Sequence, residues 1–176
     1  MFVSEALRAG HALDRIDSGQ PALDTWLRAS AVHAAAMRTA KTFVWHAGDD
    51  VVVAYFSMAA HLVVREVMPR KIARGAPDAI PAILLARLAR DRGLHGKGLG
   101  GELLWDALTR AVAASELAAA RVVVVDALDE AAARFYEHHG FEVVLEGRTP
   151  DDGPHAWMMR RRPSGPAEID RLRLPA

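Results

Sequence analysis

Apolar residues recur at helical spacing early in the chain: Leu23, Trp26, Leu27, Ala31, Ala34 and Met37 share one stripe. Pro21 suits a first helical turn, with Ser18 or Gly19 ahead of it. The pattern therefore predicts one amphipathic helix over about 21–38. The period then changes. Lys41 to His46 and Val51 to Ala59 are β-prone and are separated by Gly48-Asp49-Asp50, which predicts a hairpin. His61 to Pro81 is mixed and is broken by Pro69, Gly75, Pro77 and Pro81, so it reads as a loop holding one short helix. Ile83 to Arg90 predicts an inner strand. Leu99, Leu103, Leu104, Ala107, Leu108, Ala111 and Val112 mark a long helix, predicted over Gly101 to Leu117. Arg121 to Val125 is the short continuous apolar run expected of a parallel inner strand. Asp129 can cap a helix carrying Ala132, Ala133, Phe135 and Tyr136, and Gly140 can end it in a left-handed conformation. Strands at Phe141 to Leu145 and Trp157 to Met159 flank a turn at Asp151-Asp152-Gly153-Pro154. The order is mixed strands, then strand–helix–strand–helix, then a closing hairpin. It predicts a single α/β domain over 1–162 and a loosely attached tail, 163–176.

Composition narrows the chemistry. With 176 residues, 51% of them hydrophobic, one domain with a sizeable core is expected. There is no cysteine, which excludes a catalytic thiol, a disulfide and a cysteine-based zinc site. No stretch is long and apolar enough to span a membrane, and no charged-then-apolar leader is visible, so a cytoplasmic protein is expected. The formal net charge is zero, which gives no bulk signal for nucleic acid. Charge is nevertheless uneven. Arg65, Arg70, Lys71 and Arg74 form one basic run, and Arg87, Arg90, Arg92 and Lys97 form another, while acids gather at Asp49-Asp50 and Asp151-Asp152. Such a patch could grip an RNA backbone or a small phosphate-bearing ligand.

His95-Gly96-Lys97-Gly98-Leu99-Gly100-Gly101 lies between a predicted strand and a predicted helix. Glycines admit close backbone approach, and the helix start presents unfilled N–H groups, so the loop suits a phosphate. The run matches G-x-G-x-x-G, with Asp126 available as the acid of a dinucleotide site. Too little chain follows to complete two mononucleotide halves. A P-loop would need Ser or Thr after Lys97, where Gly98 stands. A glycine-rich turn without a ligand is the remaining plain reading.

The run Leu88-Ala89-Arg90-Asp91-Arg92-Gly93-Leu94-His95-Gly96-Lys97-Gly98-Leu99-Gly100 resembles the acetyl-coenzyme A loop of the GNAT acetyltransferases, with His95 where Arg or Gln is usual. Asp129 to Phe141, with Phe135-Tyr136 and Gly140-Phe141, resembles their second signature. Asp17-Ser18-Gly19-Gln20-Pro21-Ala22-Leu23-Asp24-Thr25-Trp26-Leu27 is similar to the opening of the GNAT toxins of toxin–antitoxin pairs, with Ser18 where Cys is common. The resemblance covers about residues 13–160. It implies the GNAT fold: α/β, with a central mixed, mostly antiparallel sheet, a splayed parallel strand pair, and flanking helices. It implies acetyl-CoA as co-substrate, held by strand backbone at Leu88, Ala89 and Arg90 and by the loop residues His95, Gly96, Lys97, Gly98, Leu99, Gly100 and Gly101. It further implies acetylation of the α-amino group of aminoacyl-tRNA, a homodimer with a basic groove, and a ribbon-helix-helix antitoxin. Arg65, Arg70, Lys71, Arg74 and Arg87 are then candidate substrate contacts. A GNAT enzyme for a small amine or a protein N-terminus, and a non-enzymatic binding module, are the competing readings.

Without cysteine, direct attack of a neutral amine on the thioester is the sensible route. Tyr136 is the candidate general acid for the leaving thiolate, since a phenol has a donor pKa near that of a thiol. The family resemblance assigns the same role, and the plain alternative is a packed aromatic. Tyr55 reads as wall or core. His61 could face a cleft, whereas His33, His138 and His139 read as surface. No histidine pair has metal-binding spacing, so no metal is expected.

Overall fold

In the computed structural model the backbone is described for residues 1–149 and 153–161, and side chains for residues 1–144. The elements are β1 (Val3–Ala6), α1 (Pro21–Ala29), α2 (Ala31–Ala36), β2 (Lys41–His46), β3 (Ala54–Val64), α3 (Arg70–Ala73), β4 (Ala79–Arg90), α4 (Leu99–Ala118), β5 (Val122–Ala127), α5 (Glu130–His138), β6 (Glu142–Thr149) and β7 (Gly153–Arg161). Short 3-10 turns occupy Arg65–Val67 and Arg92–Leu94. Strand order is β1-β2-β3-β4-β5-β7-β6. The β4–β5 pair is parallel, with Leu84 opposite Val124, and the β1–β2, β2–β3, β5–β7 and β6–β7 pairs are antiparallel.

The contacts divide the chain into two compact units. The first holds Met1–Ala59 and Ala86–Ala107. Its core gathers Ile16, Leu27, Ala31, Val44, Val52, Tyr55 and Ala89, with Trp26 and Leu23 at the margin. The buried Asp24 carboxylate accepts from the Ser18 amide at 3.1 Å, which ties the start of α1 to the segment before it. The second unit holds Ala60–Leu85 and the described residues from Leu108 on. Val63, Met68, Ile72, Ile80, Ala82, Val122 and Val124 form its core.

Three sequence expectations are corrected. The 21–38 stripe is two helices, because Ser30 leaves the helical region at φ −125°. Gln20, not Ser18 or Gly19, precedes α1, and it makes no side-chain cap. The segment after His61 is strand as far as Val64, since β3 runs on with alternating exposure before the 3-10 turn. Of the turn expected at Asp151-Asp152-Gly153-Pro154, Asp151 and Asp152 lie outside the described residues, as does the tail 163–176, whereas Gly153 and Pro154 begin strand β7.

Candidate active site

The glycine loop of the first unit is pinned on its upstream side. The Asp91 amide donates to the Val53 carbonyl at 2.8 Å as β4 ends. The Asp91 carboxylate accepts from the amides of Gly93 at 2.8 Å and Asp17 at 3.0 Å. Arg92 donates its amide to the Asp17 carbonyl at 2.8 Å and pairs with the Asp17 carboxylate. Beyond this clamp, Gly96 and Gly98 take φ of +73° and +72°. That left-handed region costs an L-residue roughly 1–2 kcal/mol, so glycine is the residue the turns require. A Cβ built on either would meet nothing within 4 Å, so the space above both is open. Among the described residues the amides of Gly96, Lys97 and Gly98 find no acceptor. Helix α4 starts at Leu99, and the Gly101 amide in its first turn donates to the Gly98 carbonyl at 3.2 Å. The free N–H groups of Gly96 to Gly98, just ahead of the helix, make an anion cradle. Next to it in sequence, Arg90 has a buried Nε with no partner among the described residues, and burial pushes its guanidinium pKa down. Such an orphaned donor fits an acceptor carried in by a ligand. The segment Leu88 to Gly101 therefore suits a phosphate-bearing molecule.

Tyr136 belongs to the second unit. The Asp129 carboxylate caps α5 by accepting from the Ala132 amide at 2.7 Å. Gly140, at φ +78°, lets the chain turn so that the Phe141 amide reaches the Tyr136 carbonyl at 3.0 Å. The Tyr136 ring is only 7% exposed and meets Phe135 and Phe141 edge-to-face, each at 5.3 Å between centroids. Among the described residues its hydroxyl has no hydrogen-bond partner. Burial pushes the phenol pKa up, so the group stays protonated through the neutral range. A protonated phenol with no acceptor among the described residues is a ready proton donor.

The basic candidates separate into two kinds. In the second unit Arg65 pairs with Asp78 at 2.7 Å and Lys71 with Glu142 at 2.5 Å. Arg70 and Arg74 are exposed and have no ion pair among the described residues. In the first unit Arg87 lies over the Trp26 ring, its Cζ 3.9 Å from the centroid. Tyr55 is fully buried and donates to the Leu23 carbonyl at 2.8 Å.

Sequence reasoning missed one cluster in the first unit, formed by Glu5, Arg8, His11, His46 and Asp50. Its ligand-type atoms lie within 4.8 Å of one another, which is metal-like spacing. The hydrogen bonds argue otherwise. Nδ1 of His11 accepts from the Arg8 amide at 3.1 Å, and Nδ1 of His46 accepts from the Gly48 amide at 3.2 Å. Each neutral ring then carries its proton on Nε2, and both aim it at Glu5 Oε1, at 2.9 and 3.2 Å. Arg8 supplies a cation to Glu5 and Asp50. A metal at the Nε2 positions would shift each ring proton to Nδ1, against the Arg8 and Gly48 amides that donate there, so this donor set does not fit one. No linear spacing of His11 and His46 could have shown the cluster, because β1, β2 and two loops assemble it.

The fold, the glycine cradle and the capped Tyr136 helix define a class of enzyme, and comparison with known proteins agrees. The chain belongs to the GNAT acetyltransferases: the model of the "Acetyltransferase (GNAT) domain" matches residues 40–143. Among curated proteins it is 36% identical over 144 residues to the "tRNA-acetylating toxin" of Mycobacterium tuberculosis (strain ATCC 25618 / H37Rv), covering 82% of this chain and 83% of that protein. It is 29% identical over 105 residues to the "Probable toxin TacT" of Sinorhizobium fredii (strain NBRC 101917 / NGR234), covering 53% of this chain and 58% of the relative. Among solved structures, "AtaT complexed with acetyl-methionyl-tRNAfMet" superposes with a TM-score of 0.77 at 25% identity, over 89% of this chain and 94% of that one. A KacT structure shares the fold with a TM-score of 0.82 at 20% identity, over 97% of this chain and 98% of that one.

Proposed function

We propose that this protein transfers the acetyl group of acetyl-CoA to the free α-amino group of aminoacyl-tRNA and so blocks translation as a toxin. The observation that carries the reading is the likeness to a tRNA-acetylating toxin over most of both chains. Supporting it is a backbone cradle of unfilled amides at Gly96 to Gly98, suited to the pyrophosphate of the coenzyme. Leu88, Ala89 and Arg90 would hold the pantetheine arm, and His95, Gly96, Lys97, Gly98, Leu99, Gly100 and Gly101 the phosphates.

In this reading the amine attacks the thioester carbonyl directly, and Tyr136 gives its phenolic proton to the departing sulfur. The raised pKa of the phenol does not disqualify it, because the same desolvation raises a thiol beside it. Arg65, Arg70, Lys71, Arg74 and Arg87 would contact the RNA. Of these, Arg70, Arg74 and Arg87 lack an acid to displace among the described residues.

The protein acts in the cytoplasm as a homodimer and is silenced by a ribbon-helix-helix antitoxin whose disordered C-terminal arm covers the basic side chains. A single monomer mass in light scattering at micromolar concentration would refute the dimer. The reaction itself is tested with labelled acetyl-CoA and a panel of charged tRNAs, small amines and peptides. Label confined to charged tRNA is the expected result. Label only on peptides or small amines contradicts the reading.

A further inference from the structure

We infer that Trp26 and Tyr55 are positioning residues that hold the Arg87 guanidinium as a planar fork for a phosphate group. The inference rests on the acetyltransferase reading above. Three elements of the first unit meet here. The Cζ of Arg87, on β4, sits 3.9 Å from the centroid of Trp26, on α1. Trp26 stacks in turn on Tyr55, on β3, with centroids 6.3 Å apart and planes 17° from parallel. Tyr55 is fixed by complete burial and by its hydrogen bond to the Leu23 carbonyl, one turn back on α1. The plane of the guanidinium is thus set by packing.

Stacking covers a face of the guanidinium and leaves its edges, which carry five N–H donors. Among the described residues those donors have no hydrogen-bond or ion-pair partner. The more exposed Arg8, Arg65, Arg92 and Arg134 all have acidic partners. Arg87 is partly buried and has none, and that burial pushes its pKa down. A partly desolvated, oriented and unpaired guanidinium is built for an oxyanion that takes two parallel N–H bonds. Arg90, three residues along the same strand, falls on the opposite face of the sheet and adds nothing to this fork, but the strand itself runs on into the amide cradle. That cradle favours phosphate over carboxylate. The phosphate belongs either to coenzyme A or to the RNA backbone.

A double-mutant cycle in the full-length protein tests this, using Arg87→Ala, Arg87→Lys, Trp26→Leu, Trp26→Phe and the Trp26→Leu/Arg87→Ala pair. Affinity is measured for acetyl-CoA by calorimetry and for uncharged tRNA by fluorescence anisotropy, with melting temperature alongside. Arg87→Ala should weaken one ligand by about tenfold or more, the worth of charge-assisted hydrogen bonds. The ligand that responds identifies the source of the phosphate. Arg87→Lys should not restore it, because a point charge lacks the fork. Trp26→Leu should weaken the same ligand, and Trp26→Phe should recover most of the loss. In the Arg87→Ala background Trp26→Leu should have no further effect on binding, although it lowers the melting temperature in both backgrounds. An equal Trp26→Leu effect with and without Arg87 would overturn the positioning role. Unchanged affinity for both ligands in Arg87→Ala would overturn the phosphate fork. Neither outcome depends on whether charged tRNA is acetylated, so failure of the proposed function is read separately in the transfer assay.

Discussion

Tyr136→Phe separates catalysis from packing, because the structure lets the two effects be estimated apart. The substitution deletes one oxygen and keeps the ring. Both edge-to-face contacts, with Phe135 and Phe141, survive. The lost hydroxyl has no partner among the described residues, so no hydrogen bond within them is lost. Removing a buried polar atom without a partner is close to neutral or mildly stabilising, so stability should stay within about 1 kcal/mol of the parent. The rate tells a different story. A positioned general acid contributes about 10²–10⁴. Losing it raises the barrier by roughly 2.7–5.5 kcal/mol. The loss should fall on the chemical step and leave acetyl-CoA affinity within about twofold, since the proton moves only as the thioester breaks. Single-turnover acetyl transfer, calorimetric titration with acetyl-CoA and thermal melting on the same preparations measure all three. A single-turnover rate within about threefold of the parent would remove Tyr136 from the mechanism. A destabilised variant with a normal rate would make the hydroxyl purely structural.

Three further outcomes follow from local geometry. Gly98→Val should cost roughly 1–2 kcal/mol of stability through its φ of +72° and should sharply weaken acetyl-CoA binding in a calorimetric titration; unchanged affinity would move the coenzyme elsewhere. Asp129→Ala removes the 2.7 Å cap on the Ala132 amide and should lower stability by about 1 kcal/mol in urea melts. The third outcome concerns acid. The His11 hydrogen bond and then the Arg8 charge hold the Glu5 carboxyl below its ordinary value of 4.5, so its stabilisation is present above that pH and is lost as pH falls through the lowered value. Glu5→Gln should therefore be less stable than the parent at pH 7 and lose less stability on acidification, and parallel stability curves from urea melts across the acid range would contradict this.

What could be read along the chain was what the chain encodes locally. Helix α5 announced both its ends, because Asp129 and Gly140 act within a few residues of their own positions. Strand β5 was legible as an inner parallel strand because burial on both faces leaves four consecutive valines. The break at Ser30 was hidden, since Leu27 and Ala31 keep helical spacing and both are completely buried across it. Strand β1 is four residues long and half polar, so its pattern is too short to register. At the site, the glycine loop and Tyr136 carried their own signatures. The stack of Arg87 on Trp26 did not, because those residues lie on different elements and sixty-one positions apart in sequence. The same holds for Glu5 with His11 and His46, whose tautomers are set by backbone amides that only the fold brings near.

The central claim is tested most directly by the chemical identity of the product. Charged tRNA is incubated with the protein and acetyl-CoA, digested to single nucleosides, and the 3′-terminal adenosine fragment is weighed by mass spectrometry. Acetylation on the α-amine should appear as an N-acetyl-aminoacyl-adenosine. It should be absent without acetyl-CoA and greatly reduced with the Tyr136→Phe variant. A terminal fragment that keeps the mass of the free aminoacyl-adenosine, while the same preparation acetylates a peptide or a small amine, would contradict the claim.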